Sequence, residues 1–338
     1  MRAYEIQDSF GLDNLRLSER PDPSPGPGQV LLKMRSVSLN YRDLLMVRGH
    51  YNPRQPLPLI PCSDGVGEVM AVGDGVTRVS VGDRVATIFS QTWIGGPPSA
   101  EKLSGTVGGP LDGTLAEQML LSADGVVAVP EHLTNIEAAT LPCAAVTAWS
   151  ALVEQGSVVA GDVVVVQGTG GVSIFALQFA QLLGARVIVT SSSDAKLDRA
   201  RELGAWKTIN YKEEPAWGKT VRRLTDGIGA DHVVEVGGAG TLEQSLRAVR
   251  VGGQISVIGV LSGVASEINI IPILMQNVRL QGILVGSREG FERMNRAVAA
   301  HGLQPVVDRT FGFDDAPAAF HHMASAAHFG KICIDMSS

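Results

Sequence analysis

Apolar and polar positions change their rhythm along the chain. Before about residue 125 the apolar positions fall in short runs, Val30–Val37, Gly67–Val72 and Arg84–Phe89. Proline and glycine clusters such as Pro21–Gly28 and Gly95–Pro98 cut between them. Short strands bounded by turn signals predict an all-β barrel or sandwich. Residues 94–113 read as an ordered but irregular loop or a flexible flap. From Asp162 the pattern becomes a regular alternation. Buried strands are predicted at Asp162–Gln167, Arg186–Thr190, Lys207–Asn210, Asp231–Val236, Gln254–Val260 and Val278–Leu284. Helices are predicted between them, at Gly171–Leu183, Asp194–Leu203, Ala216–Thr225 and Leu242–Val249. Strands that are apolar throughout, alternating with helices, mean a parallel sheet covered on both faces. Six such strands suit a doubly wound α/β dinucleotide fold. A helix at Phe291–His301 and strands at Pro305–Thr310 and Lys331–Met336 follow, and this tail is able to rejoin the first domain.

The first strand of the alternation runs into Gly168-Thr169-Gly170-Gly171-Val172, which opens a helix. Glycines there let backbone approach a pyrophosphate, and the helix start offers it N–H groups and a positive dipole end. A tight strand–helix turn without a ligand is the plainer reading, and the six-strand context favours the cradle. An acidic ribose-binding residue belongs about 20 residues further on. The chain has Ser191, Ser192 and Ser193 there, with Lys196 in the next helix. Hydroxyls and a lysine accept a 2′-phosphate that a carboxylate would repel, so the expected cofactor is NADP(H). Asp194 competes as a ribose ligand, but it is placed to cap the helix it begins.

Composition narrows the classes. The 338 residues are 45% hydrophobic and 18% charged, which excludes a disordered chain and suits two domains. Lys and Arg number 28 against 34 acidic residues, a net charge of −6, which argues against nucleic-acid and anionic-membrane partners. No apolar run reaches the roughly 18 residues of a membrane span, and the first residues lack the apolar core of a targeting segment. A cytoplasmic protein is therefore expected. The three cysteines, Cys62, Cys143 and Cys333, are too few and too scattered for a disulfide scaffold or a four-cysteine zinc module. The 39 glycines exceed the roughly 24 of average usage, and many fall in turns, helix stops and the cradle.

With these motifs in view, the chain resembles the medium-chain dehydrogenase/reductase superfamily over essentially its whole length. The resemblance rests on Pro25-Gly26-Pro27-Gly28-Gln29-Val30-Leu31, Asp64-Gly65-Val66-Gly67-Glu68-Val69 and Val81-Gly82-Asp83-Arg84-Val85. The glycine turn, Ala200–Ala205 with Asn210-Tyr211, and Phe329-Gly330-Lys331 extend it. It implies a GroES-like β-barrel catalytic domain at 1–126 plus 289–338. A Rossmann domain is implied at 127–288, with the active site in the cleft between the two and commonly a dimer or tetramer. A homodimer is expected here.

The zinc branch of that family uses a Cys, a His beside a Glu, and a second Cys. The matching positions here are Asn40, Ser63 beside Asp64, and Cys143. Asn and Ser are poor zinc ligands, so the chain looks like the zinc-free quinone-oxidoreductase branch, and no metal is expected. An improvised site of Cys62, Asp64, Cys143 and His50 is the competing reading. The segment Ser38–Asp43 also looks like that branch's Asn-x-x-Asp. The branch places a Lys and a Tyr fifteen residues apart around the 2′-phosphate, as Lys196 and Tyr211 are; Tyr211 alone also reads as a packed strand-end aromatic. The resemblance further implies nicotinamide contacts at Gly259, Val260, Leu284 and Gly286; Thr147 is a further candidate for the nicotinamide, its alternative being a bond within its own helix.

Without a Lewis acid the substrate must accept hydride readily, which quinones and α,β-unsaturated carbonyls do. Their developing oxyanion then needs hydrogen-bond donors and a proton source. Asn40 is the donor candidate. Asp43 is an orienting group. Tyr51, eleven residues past Asn40 as in the quinone-reductase pattern, is the candidate proton donor. That pattern's second tyrosine is Leu45 here. An alcohol dehydrogenase or aldehyde reductase of the same superfamily, and a non-catalytic NADPH-binding protein, are the alternatives.

Overall fold

Strand β1 (Arg2–Ile6) pairs antiparallel with β2 (Leu15–Glu19) at the start of the chain. The long β3 (Gln29–Leu39) then pairs with β4 (Asp64–Val72) and with β6 (Gln118–Ser122), while β5 (Arg84–Thr87) bridges β4 and β7 (Val126–Ala128). A register irregularity between Met34 and Ser36 switches the parity of β3. Val30, Leu32 and Met34 enter one apolar cluster, and Val37 and Leu39 enter another. A one-residue shift of this kind turns every following side chain to the other face. It also sets the direction in which Asn40 leaves the strand.

Next come β8 (Val163–Gln167), β9 (Arg186–Ser191), β10 (Lys207–Asn210), β11 (Ala230–Glu235), β12 (Val249–Val257) and β13 (Arg279–Gly282). They form one parallel sheet in the order β10-β9-β8-β11-β12-β13. This is the doubly wound Rossmann order, with its switch point between β8 and β11. Val164, Val165 and Val166 of β8 are fully buried. Each contributes roughly 1.5–3 kcal/mol by leaving water, which is why a run of valines takes the middle of the sheet. Finally β14 (Val307–Gly312) pairs with β15 (Lys331–Asp335), and β15 pairs antiparallel with β3, so the tail completes the first sheet.

This is a computed structural model describing residues 1–337. Its two compact units are Met1–Val146 with residues 286–337, and Thr147–Val285. The first boundary thus lies at Val146 rather than at 126, because β7 belongs to the barrel sheet and the backbone N–H of Cys143 donates to Asp64 at 3.1 Å. The second lies at Gly286 rather than 289. The helical stretch that carries Cys143 is π-wound over Leu141–Ala145 and Ser150–Glu154. Of the two readings of residues 94–113, the ordered irregular loop is the one found. These residues hold a short helix, Ala100–Ser104, and the Lys102 ammonium donates to the carbonyls of Gly95 at 2.8 Å and Pro97 at 3.0 Å. Among the described residues no helix is long and apolar enough to cross a membrane.

Candidate functional site

In the barrel unit, chemistry-bearing side chains gather where β3 ends. Asn40 is the N-cap of the helix Tyr41–Val47, and the Asp43 carboxylate accepts from the Asn40 backbone N–H at 2.8 Å. The antiparallel register pairs Leu39 with Ile332, which brings Lys331, the first residue of β15, beside Asn40. Lys331 is only 2% exposed. Its ammonium donates to the Asn40 side-chain oxygen at 2.6 Å and to the Leu39 carbonyl at 2.8 Å, and lies 3.8 Å from Asp64 Oδ2. The Asn40 Nδ2 lies 3.4 Å from Ser63 Oγ, and the Ser63 hydroxyl donates to Asp64 Oδ1 at 2.7 Å.

Burial dominates the acid–base properties of this cluster. It pushes the Asp43 carboxyl up to about 6, against the opposing pull of the Arg42 guanidinium. Burial likewise raises Asp64, with Lys331 opposing. It raises the thiols of Cys62 and Cys143, so both are protonated at neutral pH. These donors do not fit zinc. The Asn40 oxygen already accepts from an ammonium and the Ser63 hydroxyl is directed at Asp64, and amide and hydroxyl groups are poor zinc ligands. His50 is exposed, and among the described residues no three metal-ligating side chains come together.

Tyr51 is 43% exposed, and its ring covers the buried Arg42 guanidinium at 4.8 Å. Phe89 lies 5.0 Å from the same guanidinium, which donates to the Val107 carbonyl at 2.9 Å. Tyr51 is therefore held by a cation–π contact through Arg42, the neighbour of Asp43.

In the dinucleotide unit, the turn after β8 is an open cradle. Gly168 has φ +69, which L side chains rarely adopt. A Cβ placed on Gly168 or Gly170 would meet nothing within 4 Å. The Ser173 hydroxyl donates to the Gln167 carbonyl at 2.7 Å and closes the turn. Gly170 is the N-cap of the helix Gly171–Leu182, and no side chain caps it, so its first N–H groups point into the cradle. Thr169 is buried, whereas Gly171 and Val172 are half-buried beside it. This vacancy and these donors fit a pyrophosphate.

Ser191 ends β9, and its carbonyl accepts from the Tyr211 backbone N–H at 3.1 Å. Ser191 Oγ accepts from Ser193 N at 3.3 Å, and Ser193 Oγ from Lys196 N at 3.5 Å. Ser191, Ser192, Lys196 and Tyr211 are thus brought to one sheet end. Ser193, not Asp194, is the helix N-cap, because its hydroxyl reaches the third helical N–H while Asp194 already lies in the first turn. Asp194 instead accepts from the Asn210 side-chain amide at 2.9 Å. Thr147, Gly259, Val260 and Leu284 fall in the dinucleotide unit and Gly286 in the barrel unit.

Two buried residues have a larger part than sequence reasoning gives them. Lys331 is one. The other is Glu235, at the end of β11. It accepts from Gln167 Nε2 at 2.6 Å, Gly237 N at 2.8 Å, Gly238 N at 2.9 Å, Thr241 Oγ1 at 2.5 Å and the Ser245 hydroxyl. The Glu235 carbonyl also accepts from Gly259 N at 3.3 Å. The carboxylate thereby ties the tip of β8 to the glycine loop, and the Glu235 backbone adds Gly259. A charged residue closing an apolar strand was the available signal for each.

Comparison with known proteins agrees with both units. A family model described as alcohol dehydrogenase GroES-like domain matches residues 26–131, and one described as zinc-binding dehydrogenase matches 171–300. A zinc-type alcohol dehydrogenase-like protein of Schizosaccharomyces pombe is 41% identical over 98% of each chain. A 2-haloacrylate reductase of Burkholderia sp is 30% identical over 98% of each chain. Among solved structures, a candidate alcohol dehydrogenase from Sinorhizobium meliloti 1021 superposes with a TM-score of 0.94 at 43% identity, covering 99% of this chain and 98% of that one. An NAD-dependent alcohol dehydrogenase reaches 0.91 at 33% identity over the whole of both chains. A mycobacterial protein complexed with NADPH reaches 0.83 at 28% identity, covering 99% and 100%.

Proposed function

The chain belongs to the medium-chain dehydrogenase/reductase superfamily and is an oxidoreductase of that family, and on that premise we propose that it is an NADPH-dependent, zinc-independent reductase of quinones or α,β-unsaturated carbonyls. The observation that carries this reading is the donor set at the end of β3. An amide held by an ammonium and a hydroxyl turned to a carboxylate suit hydrogen bonding rather than zinc coordination. Hydride acceptors whose developing charge spreads onto oxygen suit such a site, since donors alone stabilise that oxygen. The 2-haloacrylate reductase among the relatives is named for a substrate of this electronic kind.

The cofactor's nicotinamide, when bound, supplies the hydride. Gly168, Thr169, Gly170, Gly171 and Val172 would hold its pyrophosphate, and Ser191, Ser192, Lys196 and Tyr211 its adenosine 2′-phosphate. Thr147, Gly259, Val260, Leu284 and Gly286 are assigned to the nicotinamide end. In the barrel unit, Asn40 Nδ2 donates to the substrate oxygen as it gains charge. Asp43 orients Asn40 through its backbone N–H. The Tyr51 hydroxyl delivers the proton that completes reduction of the double bond. Its ring sits against Arg42, which fixes it without using the hydroxyl.

We also assign a homodimer. β13 ends its sheet, and Ile270, Ile271, Leu274, Met275, Leu280 and Leu284 expose apolar side chains on and around it. Apolar surface of this extent beside an open strand edge suits a second copy of the same chain. Three unpaired cysteines suit a reducing, cytoplasmic setting. The function is tested by NADPH oxidation with 2-cyclohexenone, p-benzoquinone and a simple aldehyde under identical conditions. Turnover of the first two in preference to the aldehyde is expected. Aldehyde reduction alone would make the protein an alcohol dehydrogenase, and tight NADPH binding with no acceptor would make it a non-catalytic binder.

A further inference from the structure

We infer that Lys331 is a positioning residue that fixes which end of the Asn40 amide is offered to substrate; this rests on the reading of Asn40 as the oxyanion donor. A side-chain amide can rotate to present either its oxygen or its NH2 group. Lysine carries three donors and no acceptor, so only the amide oxygen can face it at 2.6 Å. The far side of the ring of contacts imposes the same polarity. The single Ser63 hydroxyl proton is directed to Asp64 at 2.7 Å, which leaves the Ser63 oxygen to accept from Asn40 Nδ2 at 3.4 Å. Asp64, fully buried, closes the circuit 3.8 Å from the Lys331 ammonium. Lys331, Asn40, Ser63 and Asp64 thus form one directional ring in which every polar end has one chemically allowed orientation.

The ammonium has a second effect. A buried cation against the amide oxygen draws electron density from the NH2 end and strengthens it as a donor. Its burial is compensated locally by the Leu39 carbonyl, the Asn40 oxygen and Asp64.

The test compares wild type, Lys331→Met and Lys331→Arg in enone reduction with NADPH and in NADPH binding. Lys331→Met should lower kcat by about 10²-fold, the effect of losing one oxyanion donor, with NADPH affinity unchanged. Lys331→Arg, which keeps the charge and the donors, should restore most of kcat. In the double variant with Asn40→Leu, kcat should fall no further than in Asn40→Leu alone, as expected of residues acting as a unit. Wild-type kcat in Lys331→Met, or a parallel loss of kcat and NADPH affinity, would overturn the inference. If Lys331→Met does not fold, Lys331→Arg decides: retained kcat supports the inference, and lost kcat with intact NADPH binding overturns it. If wild type itself reduces no enone, the functional reading fails separately, and the Asn40 side-chain amide resonances in 15N spectra decide the positioning role. A resolved, slowly exchanging pair in wild type that collapses in Lys331→Met supports it, and an unchanged pair overturns it.

Discussion

The side-chain amide of Asn210 donates to the Asp194 carboxylate at 2.9 Å. The acidic residue nearest the end of β9 is thereby turned to the neighbouring strand end, while Ser191, Ser193 and Lys196 follow the end of β9 itself. We predict that Lys196→Ala weakens NADPH binding by about 10- to 100-fold, the loss of one charge-assisted hydrogen bond, and leaves NADH binding nearly unchanged. Ser191→Asp should go further and favour NADH. Titration of both cofactors by fluorescence measures this, and equal losses for both would contradict a 2′-phosphate pocket.

Gly170 separates a ligand cradle from a mere tight turn. Its φ of −78° suits any residue, and a Cβ there would meet nothing within 4 Å. We predict that Gly170→Ala changes stability by no more than about 1 kcal/mol, a capping effect, yet sharply weakens dinucleotide binding. Thermal melting with and without NADPH reads both quantities. Undiminished stabilisation by NADPH would show that the pyrophosphate lies elsewhere.

Asn40 should be the main donor. Asn40→Asp keeps the shape and the pairing with Lys331 but replaces the NH2 donor by an acceptor. We predict a fall in kcat of about 10²- to 10³-fold with NADPH affinity intact. Stopped-flow hydride transfer is the direct readout, and an unchanged rate would remove Asn40 from the mechanism.

Asp43 should leave a signature in stability. Its folded pKa is raised to about 6 from 3.8, so the native state holds this proton more tightly than the unfolded chain does. The stabilisation is complete below about pH 4 and is lost as pH rises through about 6. Asp43→Asn cannot titrate. The melting temperature of the variant minus that of wild type should therefore rise between pH 4 and 7. A flat or falling difference would mean that Asp43 is already ionised across that range.

Much of this was legible in the residues. The DVVVVQ run followed by Gly168 and Gly170 announces a buried parallel strand and a glycine turn that opens a helix, because both features depend on local backbone and burial. The polar stretch Ser191–Lys196 at the end of β9 was likewise legible. The residues point to Asp194 as the helix cap, one position late, since Ser193 and Asp194 are chemically alike as caps and only geometry separates them. The domain boundary was placed too early because β7 earns its position by pairing with β5, a long-range contact that no local pattern carries. Lys331 and Glu235 are of the same kind. Their roles arise from partners far away in the chain, and a single charge at the edge of an apolar strand reads equally as a solvated end.

The central claim is chemistry by hydrogen-bond donors in place of zinc. Metal content by mass spectrometry, measured on the same purified sample whose enone turnover is followed before and after EDTA treatment, tests it most directly. The account predicts substoichiometric zinc and turnover unaffected by the chelator. Stoichiometric zinc whose removal abolishes turnover would contradict it.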